Sequence, residues 1–146
     1  MFSESAITED LIQSYLETDY HVNSAPPFVL RVGVASEPLT QLLQRHQCDC
    51  AAYLTACNPF SCNLGDADNA ARQDALAKEL TGRSLKFLSG EGQGSRGKWP
   101  EKLPGEASFL VLGLSLEASR ALARKYEQNA FIWCGLDAVP QLVLLR

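Results

Sequence analysis

Only two histidines occur in 146 residues, and their scarcity removes several familiar chemistries. His21 and His46 have no ligand-like spacing, and neither is expected at a strand end beside a serine or cysteine. A hydrolytic triad or a Cys–His pair would therefore lack its base. The patterns H-E-x-x-H and G-x-S-x-G are both absent. No apolar run approaches the roughly 18 residues of a membrane-spanning helix. The opening "MFSESAITED" is acidic and lacks the basic-then-apolar pattern of a secretory signal. The expected location is therefore the cytoplasm. Low-complexity sequence is absent, and one domain over residues 1–146 is expected.

A positive charge excess is also missing. The net charge is −4, so no general attraction to nucleic acid is expected. Residues 1–80 carry 4 basic and 11 acidic side chains and residues 81–146 carry 9 and 6; Arg83, Lys86, Arg96, Lys98 and Lys102 are the candidates for a modest local basic patch, with a solvated surface the favoured reading. The cysteines, Cys48, Cys50, Cys57, Cys62 and Cys134, are odd in number and spaced C-x-C-x6-C-x4-C before the last. That spacing matches neither a disulfide framework nor a zinc ribbon, so no metal is expected.

What is present reads as alternating helices and apolar strands. Residues 8–16 form a first helix capped by Thr8, and "TDYHV" is extended. "FVLRVGV" (28–34) is a strand, "SEPLTQLLQRH" a helix capped by Ser36, and "CAAYLTAC" (50–57) a buried strand. A third helix runs from about Asp66 to Leu80. Strands at "LKFLSG" and "SFLVLGL" follow, then a helix capped by Ser115, then "AFIWCGL" and "QLVLL". The fold class expected is α/β (α+β), with helices packed on a mixed sheet of five to six strands.

Residues 89–107, "SGEGQGSRGKWPEKLPGEA", read as a long loop and a candidate lid. "GQGSRG" (92–97) fits G-x-G-x-x-G, and "GQGSRGK" (92–98) fits most of a phosphate loop. Trp99 stands where the magnesium-binding Ser or Thr is needed, and Pro100 and Pro104 replace the required helix. Neither motif therefore carries its usual function. Glu91 and Glu106 flank this loop and are the candidate catalytic carboxylates.

The third helix holds the most specific local signal. At about 100° per residue, Asn69, Arg72 and Gln73 share a face with Leu76 and Leu80. Polar side chains on a core-facing surface need partners. With Asn58, they would sit at a strand's carboxyl end beside a helix N-terminus, where a small anionic or nucleotide-like ligand is favoured. The competing reading pairs Arg72 with a buried carboxylate such as Glu106 and lets Asn69 tie down the loop. Gln128 and Asn129, after the fourth helix, read as a cap. Two function classes follow. One is a ligand site, binding or enzymatic, built on Asn58, Asn69, Arg72 and Gln73. The other is a regulatory protein-interaction module using Trp99 and the glycine loop. A nuclease would need clustered carboxylates for a metal, and no such motif occurs.

Six segments taken together resemble a known family. "YLETDYHV" (15–22), "LTACNP" (54–59), "NAARQDAL" (69–76), "WPEKLPGEASFLVLG" (99–113), "LARKYEQNAFIW" (122–133) and "LVLL" (142–145) are similar to the small bacterial family domain of unknown function 3293. Tyr15, Thr18 and Tyr20 match that family's Y-x-x-T-x-Y start, whereas Cys48, Cys50 and Cys62 look particular to this sequence. The resemblance implies no activity, substrate, cofactor or catalytic residue.

Overall fold

The computed structural model describes residues 7–62, 64–93 and 106–146. Helix α1 (Glu9–Glu17) begins at Thr8, whose hydroxyl accepts from Leu11 N. Helices α2 (Glu37–Arg45) and α4 (Leu116–Lys125) begin in the same way at Ser36 and Ser115. Helix α3 spans Asp66–Gly82. The strands are β1 (Asp19–Val22), β2 (Phe28–Leu30), β3 (Ala51–Leu54), β4 (Lys86–Gln93), β5 (Glu106–Leu112), β6 (Ala130–Cys134) and β7 (Pro140–Leu144).

These seven strands form one sheet in the order β2-β1-β4-β5-β3-β6-β7. The α+β class is as expected, but there are seven strands where five to six were expected. The additional strand is β1, four residues that read only as an extended link. Every pairing is antiparallel, so the sheet is not mixed. The reason is topological. The β3-α3-β4 and β5-α4-β6 crossovers do join strands of like direction. Each skips one position, however, and the skipped place is taken by an antiparallel strand, β5 in the first case and β3 in the second. Strands β3 to β6 with α3 and α4 thus form a split β-α-β-β-α-β unit, extended by β1 and β2 at one edge and β7 at the other.

Both faces of the sheet are covered. Along β3, Ala52 and Leu54 pack with Leu76 and Leu80 of α3 and Leu122 and Ala123 of α4. Ala51 and Tyr53 alternate to the opposite face, against Leu39, Leu42 and Leu43 of α2. All four β3 residues are buried, which explains their unbroken apolar run. Each fully buried leucine contributes on the order of 1.5–3 kcal/mol. Helix α1 lies on the α2 side, where Tyr20 of β1 donates its hydroxyl to Tyr15 O (2.6 Å). Among the described residues, no helix is long and apolar enough to cross a membrane.

The sheet must curl toward the α1 side. In a flat sheet β1 would lie about 14 Å from β3, three strand spacings away. Yet Tyr53 of β3 donates to His21 O of β1 at 2.7 Å, passing over Gly90 of β4.

Candidate functional site

The registers that build the sheet also hollow it. Tyr20, Gly92 and Glu106 form one row across β1, β4 and β5, and Val22, Gly90 and Ser108 form the next. Two glycines in β4 therefore leave the face toward α1 without side chains. Over this floor lies a cavity of about 270 Å³, roofed by Leu11, Ser14, Tyr15 and Thr18 from the α1 segment. Its apolar walls include Ala130, Ile132 and Leu142, and its polar end holds Thr55, Asn58, Glu106, Ser108 and Gln128.

Glu106 is the single charged residue among the described lining residues. Asn58 Nδ2 donates to its Oε2 at 2.9 Å. Burial pushes the carboxyl above the ordinary glutamate range, and the Asn58 hydrogen bond opposes that shift only in part. A carboxyl whose folded value is raised contributes stability that is complete below the ordinary glutamate range and is lost as pH rises through the raised value. Denaturant titrations across that window should therefore show the wild type losing stability relative to Glu106→Gln, with the two converging toward acid pH. Parallel curves would mean that the carboxyl is not desolvated.

Asn58 is held by a web that answers why α3 turns polar residues inward. Asn58 itself has left-handed backbone (φ 49°), and Phe60 does too (φ 52°). Its N–H donates to Asn69 Oδ1 at 2.9 Å, and its Oδ1 accepts from Leu64 N (3.0 Å) and Asn69 Nδ2 (2.8 Å). Arg72 Nε donates to Ala56 O (2.6 Å), and Arg72 Nη2 donates to Tyr126 O (2.5 Å). Gln73 Oε1 accepts from Ala56 N at 2.9 Å. Gln128, buried, donates to Cys57 O at 3.0 Å and Tyr126 O at 3.1 Å. Residues 55–58 thus hang from side chains of α3 and the end of α4, which places Asn58 over Glu106.

The structure places the expected site residues in three positions. Asn58 and Glu106 meet in the cavity. Asn69, Arg72 and Gln73 stand behind them, bonded chiefly to backbone and not lining the cavity. The carboxylate that Arg72 meets is Glu127, at 3.3 Å, and not Glu106. Glu91 is apart from the cavity. It pairs in register with Ala107, so strand alternation turns it to the face opposite Glu106. There it accepts from Gln93 Nε2 at 2.8 Å. Of the long loop expected over 89–107, residues 89–93 belong instead to β4 and 106–107 to β5. The rest of the candidate lid, including Trp99, lies outside the described residues.

Sequence reasoning did not pick out Tyr53, Ser108 or Gln128 as lining residues. Tyr15, Thr18 and Tyr20 of the Y-x-x-T-x-Y pattern all line the cavity, the first two from the roof and Tyr20 from the sheet. Glycines at 90 and 92, alternating across a strand, were the available signal for a hollow floor. The five cysteines are free thiols. Among the described residues, no group of three His, Cys, Asp or Glu side chains is placed to hold a metal.

No curated protein and no solved structure matches this chain. Residues 54–131, which contain the 55–58 web, α3, Glu106 and α4, match the family model described as Protein of unknown function (DUF3293). The match covers more than half of the 146 residues, and the chain belongs to that family.

Proposed function

We propose that this protein binds a small molecule in the cavity between α1 and the sheet, with Glu106 and Asn58 as the polar end of the site. The observation that carries the reading is a 270 Å³ hollow closed at one end by a carboxylate, on a sheet otherwise packed on both faces. Ligand sites are commonly concave and mostly apolar, with a few convergent polar groups. In this reading Asn58 and Glu106 contact the ligand. Asn69, Arg72 and Gln73 are positioning residues that act through the loop they hold. Arg72 has acceptors for Nε, Nη1 and Nη2 within the chain, so the helix start supports the site from behind.

A fragment screen by amide NMR tests this. Binding fragments should shift resonances of Thr18, Tyr20, Gly92 and Ser108 together. Ala130→Leu, which fills the apolar wall, should weaken those fragments about tenfold or more, as an extra group in an apolar pocket does. Fragments that bind wild type and Ala130→Leu alike, or that shift only residues outside the lining, would overturn the proposal.

A further inference from the structure

We infer that the occupant of this cavity is a hydrogen-bond-donating cation, a primary amine or amidine carried on a small apolar body. The inference rests on the cavity being a binding site and names its ligand class.

The hydrogen-bonding capacity left over in the cavity lies mainly on acceptors. Five lining hydroxyls already give their hydrogens to backbone carbonyls. Thr18 donates to Ser14 O (2.6 Å), Tyr20 to Tyr15 O (2.6 Å) and Tyr53 to His21 O (2.7 Å). Thr55 donates to Ala107 O (2.7 Å) and Ser108 to Glu106 O (3.0 Å). A hydroxyl has one hydrogen and two lone pairs, so each of these oxygens keeps accepting capacity, reduced at Thr55 by the bond it accepts from Cys57 N (3.0 Å). Gln128 Nε2 is likewise committed to two carbonyls. The Glu106 carboxylate, when ionised, can only accept. No lysine, arginine or histidine is among the described lining residues.

An anionic ligand would therefore set its oxygens against lone pairs and a carboxylate, with no cation among the described lining residues to offset them. An ammonium or amidinium meets the opposite situation. It supplies donors to several acceptors and a counter-charge to a carboxylate that burial has stripped of water. The rings of Tyr20 and Tyr53, edge-to-face with centroids 5.2 Å apart, add aromatic surface of the kind that favours cations. The body of the ligand would lie against Leu11, Ala130, Ile132 and Leu142. A cavity of about 150 Å³ holds benzene, so 270 Å³ accommodates a substituted ring.

Three probes of one shape separate the possibilities: benzylamine, benzyl alcohol and benzoate, each titrated into the full chain at neutral pH and followed on the lining amides. Benzylamine should bind about tenfold more tightly than benzyl alcohol, the gain expected of a charge-assisted contact, with benzoate weakest. Glu106→Gln should abolish the preference for the amine. If wild type binds benzyl alcohol or benzoate as tightly as benzylamine, the ligand class is wrong and the cavity remains a site. A preference that survives in Glu106→Gln overturns the role of the carboxylate. If none of the probes moves the lining amides, the cavity reading fails and this inference falls with it.

Discussion

Gly90→Ala should melt roughly 10 °C below wild type. Gly90 sits on β4 between Val22 of β1 and Ser108 of β5, on the face crossed by the Tyr53 ring. A Cβ built there would lie 2.2 Å from His21 O and 2.8 Å from the Tyr53 hydroxyl. The first of these is backbone held in the sheet, so it cannot swing aside. The second is the hydroxyl that bonds His21 O. Accommodating one methyl group therefore means separating β1 from β4 and breaking the Tyr53 tie. Overpacking of this kind costs about 3 kcal/mol, which corresponds to roughly 10 °C in a domain of this size. Gly92→Ala is the matched control. Its Cβ would find nothing closer than 3.8 Å, so its melting temperature should stay within about 2 °C of wild type. Equal melting of the two variants, followed by circular dichroism, would show that β1 does not approach β4 as described.

The fate of Gly90 also shows where sequence reading loses the thread. "SGEGQ" carries turn-like residues: Ser89 and Gly90 end the expected strand "LKFLSG" and also open the expected loop, and Gly92 falls in the loop alone. In the fold Gly90 and Gly92 are strand residues, required by close approach at one position and opening the cavity floor at the other. Local signals transferred well. Thr8, Ser36 and Ser115 cap their helices because a cap is settled within four residues. The apolar runs of β3 and β5 were legible because burial on both faces removes polar alternation. Strand order was not legible. Nothing in the α3 or α4 segments says that β5 lies between β3 and β4, since that placement depends on the β3–β5 pairing, whose partners run from Ala51–Leu112 to Leu54–Phe109 and are far apart in sequence.

The candidate site divides in the same way. Helical periodicity brought Asn69, Arg72 and Gln73 to the core-facing side of α3, and the fold keeps them together. Their main partners are invisible to any side-chain pattern, because they are Asn58 N, Ala56 O and Ala56 N. A loop that needs three side chains to satisfy its backbone looks, in sequence, like a ligand site with three polar groups. Glu91 and Glu106 illustrate the reverse error. Both are candidates because they bracket one segment, but the Gly92–Glu106 register places only Glu106 on the cavity face. One residue's offset in a strand decides which face a carboxylate reaches.

Substitutions at Asn58 should have an effect as large as that at Gly90, and their order is diagnostic. Asn58→Ala removes the donor to Glu106 and the acceptor for Leu64 N and Asn69 Nδ2. At about 1 kcal/mol for each of these three hydrogen bonds, with on the order of 1 kcal/mol more for alanine at φ 49°, the loss should be about 4 kcal/mol. Asn58→Gly loses the same bonds without the backbone cost and should be about 1 kcal/mol more stable than Asn58→Ala. Asn58→Asp separates the two ends of the side chain. It keeps an acceptor for Leu64 and Asn69 but sets a second carboxyl oxygen against Glu106, where the amide donor stood at 2.9 Å. Two carboxylates so close cannot both ionise, so the pair holds a proton to higher pH than either would alone. Its stability contribution is present in acid and is lost as pH rises through that raised titration. Melting curves should therefore bring Asn58→Asp close to wild type below the ordinary carboxylate range and well beneath it at neutral pH. Asn58→Ala should stay low throughout. If Asn58→Asp follows the wild-type profile at every pH, then Asn58 does not hold Glu106, and the polar end of the cavity is built differently from the arrangement described above.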